Sequence, residues 1–174
     1  MLTMIARLIT PFCLLFIACS SPDPAMEANK ELQELEKEAF STPLLDVELG
    51  EKLLKAYKKN LELKLDAQTL FKAGEVAYNM PDKEDLAMEY FQRLFIKFSN
   101  DPKAPHALFY QGLIYENRWN DKEQAANIWE RFLVRYPGHE LANDAADLLT
   151  LARDTSDDLK LVEKWLREAE DQKK

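Results

Sequence analysis

The side chains best able to do chemistry in this sequence are few: two cysteines, Cys13 and Cys19, and two histidines, His106 and His139. Both cysteines lie in the first twenty residues, so the body of the chain can hold neither a disulfide framework nor a thiolate metal site. The histidines stand far apart, each near an expected helix start and without a second ligand at metal spacing. His139-Glu140 is not followed by another histidine, as a zinc-protease helix would require. On spacing alone each histidine reads as a surface or capping residue, and no metal site is expected. No glycine-rich phosphate loop is present, and no serine or cysteine is paired with a base. Carboxylates abound, but with lysines at i, i+4 they usually make a solvated helix face. The sequence therefore points to no catalytic residue, no small-molecule substrate and no cofactor.

The formal net charge is -8, from 23 basic and 31 acidic side chains. That field disfavours phosphate backbones and anionic headgroups, so nucleic acid is not an expected partner. A solvated acidic surface is the simpler reading of the same balance. With 47% hydrophobic residues and only 4 glycines, the composition suits packed helices better than a turn-rich β fold. A chain of 174 residues has room for one domain with a real core or a short helical array.

Residues 1–19 read as an address. Arg7 supplies a positive start, and Leu8 to Ala18 form an apolar run ending in a small residue. The run is shorter than the ~20 residues that span a bilayer. Its end, Phe16-Ile17-Ala18-Cys19, resembles the lipobox of bacterial lipoproteins. That resemblance implies a covalent lipid on the Cys19 sulfur, removal of the signal, and anchoring by acyl chains of the palmitate type, each buried methylene contributing ~0.8 kcal/mol. The competing reading is an ordinary secretory signal with an incidental cysteine. Residues 20–25 then form a tether. Ser20 directly after the cysteine resembles lipoproteins sent to the outer membrane, which implies a place in the cell envelope facing the periplasm.

The elements that must position everything else are announced by an internal repeat. A shift of 38 residues lays Leu70-Phe71-Lys72-Ala73-Gly74 over Leu108-Phe109-Tyr110-Gln111-Gly112. The same shift carries Ala87 onto Ala125, Phe91 onto Trp129, Phe95 onto Leu133, Phe98 onto Tyr136 and Ala104 onto Ala142. Each copy reads as two helices, near 66–79 and 83–98, then near 103–118 and 122–136. Ala87, Phe91, Leu94 and Phe98, like Ala125, Trp129, Phe132 and Tyr136, lie three or four residues apart and make one apolar stripe. Pro81 ends a helix, and Asp82 and Asp121 are expected to cap the next ones. A glycine inside a helix costs ~1 kcal/mol relative to alanine. Repeated, as Gly74 and Gly112, it implies close helix approach, with Ala87 and Ala125 as the expected facing surface. Flanking pairs are expected over 27–60, with Thr42-Pro43 opening its second helix, and over 140–171, giving about four pairs in all.

Gly112, Tyr115, Ala125, Trp129 and Pro137 follow the order of the tetratricopeptide repeat, which this chain resembles. The first copy matches at Gly74, Ala87 and Phe91 and departs at Ala77 and Ser99. The implied fold is all-α, an α-α superhelix of stacked helical hairpins with a capping helix over residues 26–174, its best repeats at 66–103 and 104–141. By position in that family, Phe71, Glu75, Tyr78, Phe109, Leu113 and Glu116 would line a protein-binding groove. Aromatic anchors with an acidic edge suit a protein or peptide carrying apolar and basic residues. The alternative is that Phe71, Phe109 and Leu113 merely pack between neighbouring helices. The layout also resembles the repeat lipoproteins of the Bam complex, the Tol–Pal coordinator and Bacteroidetes-type envelope lipoproteins. Two functions are expected from this: a membrane-anchored adaptor, not an enzyme, in outer-membrane or cell-wall assembly, or a structural, self-associating envelope lipoprotein.

Overall fold

In the computed structural model the described residues are 23–39, 41 and 45–154. Cys13, Cys19, the Thr42-Pro43 pair and the last expected helix lie outside them. Among the described residues seven helices follow one another: α1 (Pro24–Ala39), α2 (Val47–Leu63), α3 (Ala67–Asn79), α4 (Glu84–Lys97), α5 (Ala104–Asn117), α6 (Lys122–Arg135) and α7 (Ala142–Arg153). No strand occurs among the described residues. None of their helices is long and apolar enough to cross a membrane.

Each helix packs chiefly on its neighbours in sequence, α1 on α2, α2 on α3 and onward to α7. That is the signature of a solenoid, where each hairpin buries its apolar stripe on the next. The fold is thus an all-α superhelix of stacked hairpins. Side chains also join the first helices of successive hairpins, Lys72 on α3 reaching Glu36 on α1 and Tyr110 on α5 reaching Glu75 on α3.

The 38-residue register holds at the level of single atoms. Leu70 and Leu108 are fully buried, as are Ala87 and Ala125, Phe91 and Trp129, and Leu94 and Phe132. The Phe98 N–H donates to Leu94 O at 2.8 Å, and Tyr136 N–H donates to Phe132 O at 2.8 Å. The turns between paired helices repeat too. Asp82 (φ 56°) and Asn120 (φ 51°), one register shift apart, both take the left-handed conformation that aspartate and asparagine tolerate best after glycine.

That turn corrects one expectation. Asp121 does cap α6, accepting from Gln124 N–H at 3.0 Å. Asp82 does not cap α4: it is the left-handed turn residue, and Lys83 in the N-cap position makes no side-chain cap bond. A second correction concerns the paired glycines. A β-carbon on Gly74 would lie 2.6 Å from Cε1 of Phe91, and one on Gly112 would strike the Trp129 indole. The surface facing each glycine is therefore the aromatic four residues beyond the expected alanine, lying flat where a side chain would stand.

The last residues expected in the tether are helical instead. Pro24 and Ala25 already belong to α1, because Asp23 accepts from Ala25 N–H at 2.9 Å and from Glu27 N–H through its carbonyl at 3.0 Å. Proline at the first helical position has no amide to waste there. Helix α2 begins at Val47, later than the expected 42, after Asp46 in an extended conformation.

Candidate functional site

The six expected groove residues sit on α3 and α5, the first helices of the two best repeats. The structure separates them into two groups. Phe71 is only 4% exposed, with its ring 5.9 Å from both Phe91 and Tyr110 and 6.0 Å from His106. It cannot line an open face. Its position is taken up by packing between α3, α4 and α5, since a bare phenyl ring is stabilised most by full burial. Phe109 is half-buried, 4.9 Å from Trp129 and 5.8 Å from Phe132, and Leu113 packs on the same cluster. Both therefore serve chiefly to close their own hairpin.

Glu75, Tyr78 and Glu116 are the polar group, each half-buried at the edge of the packed rings. Tyr110 binds the first of them in. Its ring stacks on Phe91 at 4.7 Å and 8°, meets Tyr78 edge-on at 5.2 Å, and points its hydroxyl at Glu75 Oε1, 3.4 Å away. Burial pushes the Glu75 carboxyl pKa up, against the Tyr110 hydroxyl and the Lys103, His106 and Lys72 charges that pull it down. The Tyr110 phenol is pushed up to about 12, first by burial and then by the Glu75 carboxylate. The Glu116 carboxyl is likewise pushed up by burial, offset in part by the Trp129 indole and Lys122. Glu116 Oε2 and Trp129 Nε1 are both buried, and neither completes a hydrogen bond. Arg118 closes the end of α3, donating to Tyr78 O at 2.9 Å with its guanidinium 5.0 Å from the Tyr78 ring. The result is an acidic, aromatic face on which burial raises the pKa of two carboxyls.

Spacing alone missed Tyr110, although the register contains it. One shift earlier stands Lys72, which donates to both oxygens of Glu36 at 2.9 and 3.0 Å, while the buried Tyr57 hydroxyl donates to Glu36 Oε1 at 2.8 Å. In both copies a donor at the same repeat position reaches an acid on the preceding first helix. An open cleft of about 800 Å³ between α1 and α2 lies elsewhere, among Glu31, Glu34, Lys52, Lys55 and Lys59, and holds none of the six.

Both histidines are part-exposed and His139 caps, accepting from Leu141 N–H at 3.2 Å, but their spacing along the chain does not show that they meet. The loop after α6 folds back over the first turn of α5, bringing the His106 and His139 rings to 5.1 Å with Glu140 beside them. One ligand-type atom from each of the three lies within 4.8 Å of the others. A metal-spacing rule that reads along one helix cannot see residues joined by hairpin closure.

Comparison with known proteins agrees with this architecture. Residues 106–139, from α5 through the end of α6, match the tetratricopeptide repeat family. The chain is also similar to the photosystem I assembly protein Ycf3 of Prochlorococcus marinus. Identity is 31% over 101 residues for strain MIT 9301 and 31% over 103 residues for strain MIT 9215. In both cases the match takes in 49% of this chain and 57% of the relative, so the chain spans little more than half the length of these proteins.

Proposed function

We propose that this chain is a protein-binding adaptor of the bacterial cell envelope, lipid-anchored through Cys19, serving outer-membrane or cell-wall assembly. The observation that carries the reading is the part-buried pair Glu75 and Glu116 on adjacent first helices. Keeping a carboxylate where burial opposes its charge costs stability, and such groups concentrate where a protein meets a ligand. A partner segment with basic side chains would satisfy both acids, and the part-buried Tyr78 ring beside Tyr110 offers it apolar contact. The relatives' name supports an assembly role, and the repeat match supports one carried out by binding other proteins. The lipobox resemblance supports the envelope side of the proposal.

A second reading, self-association, has one observation in its favour. Ile96 and Val134, one register shift apart on α4 and α6, stand 70% and 84% exposed. Crosslinking in membranes separates the two: discrete heterologous adducts support the adaptor, and self-adducts alone support the second reading. Affinity purification of the acylated protein is the direct test, compared with a Glu75→Gln/Glu116→Gln variant. The adaptor reading expects the variant to lose partners at unchanged helix content; equal recovery sinks the acidic face as the binding site. Replacing Phe71 and Phe109 would test nothing, because both hold the core.

A further inference from the structure

We propose that His106, His139 and Glu140 form a binding site for a divalent transition metal, Zn²⁺ by the chemistry of its donors. Two imidazoles and one carboxylate are a donor set that zinc takes up in three-ligand sites, with water completing the tetrahedron. The geometry is partly built. His106 Nδ1 lies 3.4 Å from Pro102 O, one turn back, so that carbonyl can hold the ring proton and leave the Nε2 lone pair facing Glu140 Oε1 at 3.7 Å. A ring N–H directed to a backbone carbonyl is the usual way a ligating histidine is oriented. The ring is further fixed by an edge contact to Phe71 at 6.0 Å, and His139 by contacts to Phe132 at 5.8 Å and Tyr136 at 6.4 Å.

Coordination asks for small movements. The three atoms lie within 4.8 Å of one another and must draw in around bonds of about 2.0–2.2 Å, for which the exposed Glu140 has freedom. His139 Nδ1 now accepts from Leu141 N–H at 3.2 Å. Binding through Nε2 moves the ring proton to Nδ1 and gives up that one bond, at a helix start where amides can turn to water.

The cluster belongs to this junction alone. One register shift earlier the three positions hold Gln68, Asp101 and Pro102. Asp101 performs the same capping there, accepting from Lys103 N–H at 2.8 Å. Capping needs only an oxygen at this position, so capping alone does not call for an imidazole here. A bound ion would join the loop that leads into α7 to the start of α5, fastening the α5–α6 hairpin to the helix that follows it.

The test is titration of the full chain with Zn²⁺ by calorimetry, and with Co²⁺ followed by its visible absorption. One equivalent of zinc should bind, displacing cobalt whose spectrum lacks a thiolate charge-transfer band. His106→Gln, the first copy's own residue, and His139→Asn, which keeps an acceptor for Leu141, should each weaken binding by about tenfold or more at unchanged helix content. Zinc should also raise the Tm of the parent chain and not of either variant. Overturning results are affinity unchanged in both variants, or a thiolate band showing that Cys13 and Cys19 hold the metal. Absence of binding at tens of micromolar zinc would overturn it equally.

Discussion

Replacing Gly112 with alanine isolates the contact on which the hairpin design rests. On an ordinary exposed helix this change stabilises by roughly 1 kcal/mol through propensity. Here the new methyl would enter space held by Trp129, whose Cζ2 and Cζ3 would lie 2.5 Å from it. Ordinary carbon contacts begin near 3.5 Å, so about 1 Å of overlap must be relieved. The indole cannot turn aside, being fully buried with Phe109 4.9 Å away. Overpacking of this kind costs about 1–3 kcal/mol, and against a rigid ring the upper end applies. Subtracting the propensity gain leaves a net loss of about 2 kcal/mol, or roughly 4–8 °C in Tm for a domain of this size. Urea unfolding followed by far-UV circular dichroism measures it. In a Trp129→Leu background the same substitution should lose most of its cost, a coupling of 1 kcal/mol or more. Stabilisation by Gly112→Ala in the parent chain would refute the close-approach reasoning outright.

Other outcomes follow from the polar face and from the proposed anchor. Glu75→Gln should raise Tm at neutral pH while weakening partner capture. A carboxyl whose folded pKa lies above its unfolded value destabilises the fold above that range, so the gain should vanish as pH falls through the ordinary carboxyl region. Tyr110, with its phenol raised from 10.0 to about 12, contributes stability that is complete below pH 10 and lost between about 10 and 12. Thermal scans in alkali should show a shallower decline for Tyr110→Phe. Tyr57→Phe removes a hydrogen bond to the Glu36 carboxylate, and chemical denaturation should record a loss of about 1.5–3 kcal/mol. Cys19→Ser should move the protein from the membrane to the soluble fraction on cell fractionation; continued membrane association would count against the lipid anchor.

Much of the fold was legible because the repeat constrains it twice. Helices expected near 66–79 and 122–136 run Ala67–Asn79 and Lys122–Arg135, since glycine, alanine and aromatic positions recur in one register and packing leaves them little choice. The groove was legible only in part. Helix position identifies the face on which Phe71 lies, yet depth within that face depends on what the neighbouring hairpin inserts, here Tyr110 and His106. Asp82 misled because aspartate suits both a helix cap and a left-handed turn, and only the backbone path decides between them. The histidine cluster was invisible for a related reason: its members meet across a hairpin closure that no single-helix spacing encodes.

Because every helix leans chiefly on the ones before and after it, damage in this protein has a direction. Peeling away α7 uncovers one flank of α6 and leaves the Glu75 and Tyr110 neighbourhood standing, whereas a break at α3 parts that neighbourhood from α1 and α2. The molecule would thus wear like a zipper, its hairpins parting one after another and not all at once.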